Sequence, residues 1–160
     1  MPALTWDEIC ADPSLADLPY KIETNEDGHI VMHPAPFWHS LRQGRIAAKI
    51  ARLRQDGDVS TETAIQTTKG VKATDVAWVS DAFSAKHRDE SALSAAPELC
   101  VEVLSDSNTK REIMEKMTLY FALGALEVWL CDDAGKMTFH TSPEQTVAHS
   151  GLIPGFPEQV

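Results

Sequence analysis

A glutamate stands inside an otherwise apolar run, Leu99-Cys100-Val101-Glu102-Val103-Leu104. Pro97 precedes the run and Ser105-Asp106-Ser107-Asn108 follows it, so the segment reads as a short buried strand. A lone carboxylate in such a place is costly unless it is paired, protonated or bound to a metal. Two other charged residues are placed to converge on it. Asp75 opens the preceding strand, Thr74-Asp75-Val76-Ala77-Trp78-Val79, and Lys116 lies in the helix that follows Glu102. An Asp and a Glu from neighbouring strands offer the oxygen donors that Mg²⁺ prefers. A lysine beside them can orient a water nucleophile or offset charge building on a phosphate. These are the parts of a metal-dependent phosphodiester hydrolase.

The helix carrying Lys116 must aim it inward. On a helical wheel Ile113, Met117, Tyr120, Phe121 and Gly124 form one apolar stripe. Lys116, three residues after Ile113 and four before Tyr120, borders that stripe, whereas Glu115 falls on the opposite face. The competing interpretation of Glu102 and Lys116 is a buried ion pair with a purely structural role.

Composition bounds the rest. A chain of 160 residues, 43% hydrophobic and 24% charged, fits one globular domain with a full core. No apolar stretch approaches the roughly 20 residues of a membrane span. The start, Met1-Pro2-Ala3-Leu4-Thr5-Trp6-Asp7-Glu8, lacks the basic and apolar regions of a signal peptide. Cys10, Cys100 and Cys131 are scattered and read as small core residues in a reducing cytoplasm. The net charge of −10 excludes a protein that coats nucleic acid indiscriminately. Yet the segment from Trp38 to Gln55 holds Arg42, Arg45, Lys49, Arg52 and Arg54 and no acid. Arg42, Arg45, Lys49 and Arg52 share one helix face, and Ile46, Ile50 and Leu53 lie on the adjoining one. The stripe is either a solvated face or a phosphate-contacting surface, with His39 at its start placed to meet a phosphate.

The remaining elements follow from local signals. Thr5-Trp6-Asp7-Glu8 is a capping box for a short helix ending near Asp12. Tyr20–Glu23 and His29–Met32 flank Asn25-Glu26-Asp27-Gly28 as a β-hairpin. A strand over Val59–Thr67 precedes a turn at Lys69-Gly70-Val71-Lys72, then the Asp75 strand. Residues 81–97 make a short helix and loop. The Glu102 strand, a helix from Thr109 to Leu123 closed by Gly124, and strands at 127–131 and 137–140 complete an α/β arrangement with a mixed sheet. The tail at 151–157 is too rich in Gly and Pro for a regular element. His29, His33, His87, His140 and His149 show no metal-ligand spacing.

Asp75, the Val-Glu-Val-Leu-Ser of 101–105, Glu115-Lys116 with its aromatic-ended helix, and the following Val-Trp-Leu strand together resemble the Uma-type family. That family is assigned to the PD-(D/E)XK restriction-endonuclease-like superfamily. Tyr20-Lys21-Ile22-Glu23 with Gly28 and Met32, then Pro34, His39 and Leu152–Phe156, extend the resemblance over nearly the whole chain. It implies one restriction-endonuclease-like domain over 1–160, a mixed central β-sheet flanked by α-helices. It also implies Asp75 and Glu102 as ligands of Mg²⁺ or Mn²⁺, with the Val103 backbone carbonyl and Glu23 as further oxygen donors. The implied activity is endonuclease cleavage of nucleic acid, DNA first, and a homodimer is how such folds cut both strands. Two positions depart from the superfamily pattern. Thr74 stands where a proline is usual, and Leu104 stands two residues after Glu102, where the lysine is usual. Lys116 must therefore reach the site from its helix. The alternative is a weak or inactive nuclease fold that serves as a DNA-binding or assembly module.

Overall fold

The computed structural model describes residues 2–160. Helix α1 (Trp6–Ala11) starts at the expected capping box, with Thr5 and Glu8 bonding each other's backbone. Strands β1 (Tyr20–Thr24) and β2 (Ile30–Pro34) form an antiparallel hairpin of their own. The chain continues through α2 (Phe37–Leu53), β3 (Asp58–Thr67), β4 (Gly70–Val79) and α3 (Asp81–His87). It ends with β5 (Leu99–Val103), α4 (Lys110–Ala122), β6 (Glu127–Cys131), β7 (Met137–Ser142) and β8 (Gln145–Val147). The main sheet has six strands in the order β3-β4-β5-β6-β7-β8. Only β5 and β6 run parallel, and α4 is the crossover that a parallel pair requires. The fold is thus the expected mixed sheet flanked by helices.

Every residue of β5 is buried, which is why it reads as a continuous apolar run. Leu99, Val101 and Val103 pack with Ile46 and Ile50 of α2 and with Trp129, Phe139, Ile153 and Phe156. Cys100 packs on the other face with Ile113, Met117 and Tyr120 of α4 and with Val128. The tail lacks regular structure, as expected, but Ile153 and Phe156 plug the core. Buried Glu127 holds it there, accepting from Ser150 Oγ at 2.7 Å and from the Gly151 and Leu152 N–H groups at 2.8 and 3.1 Å.

Three local expectations change. Asp75 lies inside a strand and does not open one. Gly70, at φ +90°, completes the turn, so Val71 and Lys72 already pair with Gln66 and Ile65. The short edge strand β8 has no alternation to reveal it. Cys10 is exposed on α1, because Ile9 alone turns that helix's apolar side inward. No helix among the described residues is long and apolar enough to cross a membrane.

The site depends on how β4 and β5 part. Their ladder runs Trp78↔Leu99, Ala77↔Cys100 and Val76↔Val101, then stops. Beyond it, side chains take over the backbone's partners. Thr74 Oγ1 donates to the Val101 carbonyl at 3.0 Å, and Asp75 Oδ2 accepts from the Val103 N–H at 2.8 Å. On the other side of β4, Glu62 takes a left-handed φ of 50° and breaks the β3–β4 pairing opposite Asp75. The sheet therefore opens around this one aspartate.

Candidate active site

A cleft of about 350 Å³ lies over the parted strands, with the hairpin and α4 as walls. Alternation along β1 turns Lys21 and Glu23 to the same face, and that face docks on β4. Glu23 Oε1 accepts from the Ala73 N–H at 2.9 Å and Thr24 Oγ1 from the Val71 N–H at 2.7 Å. Lys21 Nζ donates to the Ala73 carbonyl at 3.1 Å and to Asp75 Oδ1 at 3.0 Å. The same ammonium lies 3.9 Å from Glu23 and 4.0 Å from Glu102. One cation thus touches three carboxylates supplied by three strands.

Helix α4 brings the second cation. Lys116 Nζ donates to Glu23 Oε1 at 2.7 Å and stands 3.6 Å from Glu102 Oε2, so it does reach the site from its helix. One turn later Tyr120 donates its hydroxyl to Glu102 Oε1 at 2.7 Å. From α2, His39 Nε2 lies 3.0 Å from the Val103 carbonyl and 3.4 Å from Asp75 Oδ2. His33 Nε2 lies 3.2 Å from Glu23 Oε2. The Asp75, Glu23 and Glu102 side chains are only 1%, 4% and 4% exposed, so their charges interact through little water.

Burial and partners set the protonation of each acid differently. Burial pushes Asp75 up, but the His39 hydrogen bond, Lys21 and the Val103 N–H outweigh it and hold the carboxyl at about 2. Burial likewise opposes Glu23, yet His33, Lys116 and Lys21 carry it well below the usual carboxylate range. Glu102 goes the other way. Burial dominates and raises it, against the pull of Lys116 and Lys21, with Asp75 and Glu23 adding repulsion. Burial alone would lower Lys21, but Glu102, Asp75 and Glu23 together raise it. His39 is raised, first by its hydrogen bond to Asp75.

These directions fix the acid limb of stability. A carboxyl depressed by folding stabilises the native state above its unfolded value and loses that contribution as pH falls through its folded one. For Asp75 the loss spans the ordinary 3.8 down to about 2. The urea midpoint should therefore fall steeply over that window, and less steeply in Asp75→Asn. Equal acid limbs in the two proteins would contradict the assigned pairing.

The residues singled out from sequence divide into two groups. Asp75, Glu102, Lys116, Glu23 and the Val103 carbonyl meet at the cleft, together with His39. The helix starts at Phe37, and His39, expected to meet a phosphate with the basic stripe, is 9% exposed and turned onto Asp75 and Val103. Its ring nitrogen occupies the Val103 carbonyl. The basic stripe lies elsewhere. Arg42 donates to the Asp132 carbonyl at 3.2 Å and stacks on Trp38, Arg45 and Arg52 face solvent, and neither these nor Lys49 line the cleft. Lys21, Tyr120 and His33 join the site without being singled out by sequence. The period of two that pairs Lys21 with Glu23 is the signal that could reveal Lys21.

Among the described residues no three of His, Cys, Asp and Glu form a metal-holding group as they stand. The donors nevertheless fit a hard divalent cation. They are carboxylate oxygens, drawn from three acids that share two lysine ammoniums. Glu102 Oε2 has no hydrogen bond among the described residues, and its nearest cations stand at 3.6 and 4.0 Å.

Strands that part around an Asp and a Glu, with a lysine reaching in from the crossover helix, are carried here by a mixed sheet of nuclease-like fold. Residues 12–154 match the Uma2 family, described as "Putative restriction endonuclease", and the chain belongs to that family. A similar solved structure is a crystal structure titled as a putative nuclease belonging to DUF820 from Anabaena variabilis ATCC 29413. It is 18% identical, with a TM-score of 0.71 over 90% of this chain and 83% of that one, and at that identity it speaks to the fold. No curated protein matches the chain.

Proposed function

We propose that this chain is an endonuclease that hydrolyses phosphodiester bonds, DNA first, with Mg²⁺ or Mn²⁺ held by Asp75 and Glu102. The observation that carries this reading is the convergence of Asp75, Glu102 and Glu23 on one cation, the Lys21 ammonium. When bound, such a metal lowers the pKa of a water and offsets charge on the phosphate. The chain's own residues do the rest. His39 and the Val103 N–H orient Asp75, and Tyr120 orients Glu102. Glu23 fixes the Lys116 ammonium at the cleft, where it neutralises charge developing on a phosphoryl oxygen. The free thiols suit a reducing compartment, the cytoplasm. A homodimer would let the chain cut both strands of a duplex.

The test is a cleavage screen of plasmid, linear duplex, single-stranded DNA and RNA, with Mg²⁺, with Mn²⁺ and with a chelator. Cleavage that requires the cation supports the reading. One observation favours a second reading, an inactive module for DNA binding or assembly: the two lysines already pair with all three acids. No cleavage of any substrate under any condition selects that one.

Nucleic-acid binding along α2 is a separate expectation, because its stripe lies outside the cleft. Arg45→Ala with Lys49→Ala should lower the log–log salt slope of duplex binding by about 0.9 for each phosphate no longer neutralised. A slope that does not change makes the stripe a solvated face.

A further inference from the structure

We propose that Lys21 is a positioning residue whose ammonium holds Asp75 and Glu102 in place before metal binds and then competes with the metal for them. The inference rests on the metal-dependent reading above. Three buried acids within one small space repel each other, and two cations are needed to keep them there. The two lysines divide this work unequally. Lys116 pairs with Glu23 at 2.7 Å and with Glu102 at 3.6 Å, and makes no ion pair with Asp75 among the described residues. Lys21 alone spans both proposed ligands, at 3.0 Å from Asp75 and 4.0 Å from Glu102.

Its attachment suits a cation that must give way. The stem comes from the two-stranded hairpin, not from the six-stranded sheet that carries Asp75 and Glu102. The ammonium keeps a partner if it leaves Asp75, because the Ala73 carbonyl already accepts from it at 3.1 Å and Glu23 lies 3.9 Å away. A divalent cation drawn to the same oxygens meets a like charge at contact distance, so Lys21 weakens metal binding while it preserves the binding geometry.

The experiment compares wild type with Lys21→Met, Lys21→Arg and Lys72→Met, using Mn²⁺ alone. The readouts are calorimetric affinity and the rise in Tm on adding metal. Lys21→Met should bind Mn²⁺ roughly tenfold or more tightly. It should also melt lower than wild type without metal and gain more Tm from metal. Lys21→Arg keeps the positive charge and should bind Mn²⁺ more weakly than Lys21→Met does. Lys72, which lines the cleft without an ion pair to Asp75 or Glu102, serves as the control for general charge loss and should shift affinity less. Equal affinity in wild type and Lys21→Met overturns the competition but leaves the metal reading standing. A Lys21→Met chain that stays unfolded even with saturating Mn²⁺ also overturns it, since a metal that replaces the ammonium must restore the fold. No Mn²⁺ binding by any of the four proteins overturns the metal reading itself.

Discussion

Asp75→Asn and Glu102→Gln should each abolish measurable Mn²⁺ binding and cut turnover by roughly 10³-fold, yet only Asp75→Asn should cost stability. Both substitutions keep the shape and a hydrogen-bond acceptor, so the Val103 N–H and the Tyr120 hydroxyl retain partners. What each removes is charge. Asp75 sits below its ordinary value because its partners outweigh burial, so its ionised form stabilises the fold and Asn costs stability at neutral pH. Glu102 sits above its ordinary value because burial outweighs Lys116 and Lys21, so its ionised form opposes folding. Gln there should leave the metal-free protein as stable as wild type or more so. Calorimetry with Mn²⁺ and urea unfolding without it measure the two halves. Undiminished Mn²⁺ affinity in both variants would remove Asp75 and Glu102 as ligands. A Glu102→Gln protein much weaker than Asp75→Asn in urea would reverse the electrostatic assignment.

What can be read from the chain alone follows from the range of each signal. Glu102 is visible because a charge in a β-rich apolar run breaks a pattern that needs no tertiary knowledge. Lys116 is visible because the helical period places it beside Ile113, Met117 and Tyr120. The mixed sheet and its crossover helix follow from strand–helix–strand succession together with the family resemblance. Other features depend on packing that no local pattern encodes. The strand-start position expected for Asp75 treats Gly70 as the centre of a turn, although a single left-handed glycine lets the ladder begin at once. His39 reads as a phosphate contact at the start of the basic helix, and only the crossing of α2 over β4 and β5 turns its ring onto Asp75. Lys21 stands in plain view two residues before Glu23, but a hairpin has two faces. Its docking through Glu23 and Thr24 onto β4 backbone N–H groups decides which face enters the cleft.

Lys116→Met should still fold and bind metal, though with a lower metal-free Tm, and should lower turnover by roughly 10²-fold or more. Methionine keeps the stem that lies along the apolar side of α4 and deletes only the ammonium. The loss should concentrate in kcat, because charge on a phosphoryl oxygen grows as the transition state forms and the ground state gains less from the lysine. Two neighbours make the comparison specific. Glu115→Gln removes the adjacent charge, which pairs with Lys69 at 2.6 Å and touches neither Glu23 nor Glu102, so turnover should change little. Glu23→Gln removes the partner that holds Lys116 at 2.7 Å and should lose part of what Lys116→Met loses, with little further loss in the double variant. A wild type and a Lys116→Met protein that cleave at the same rate would show that the helix lysine is only Glu23's counter-ion. Additive losses in the double variant would separate the two residues, leaving Glu23 to act through His33 or the docking of the hairpin.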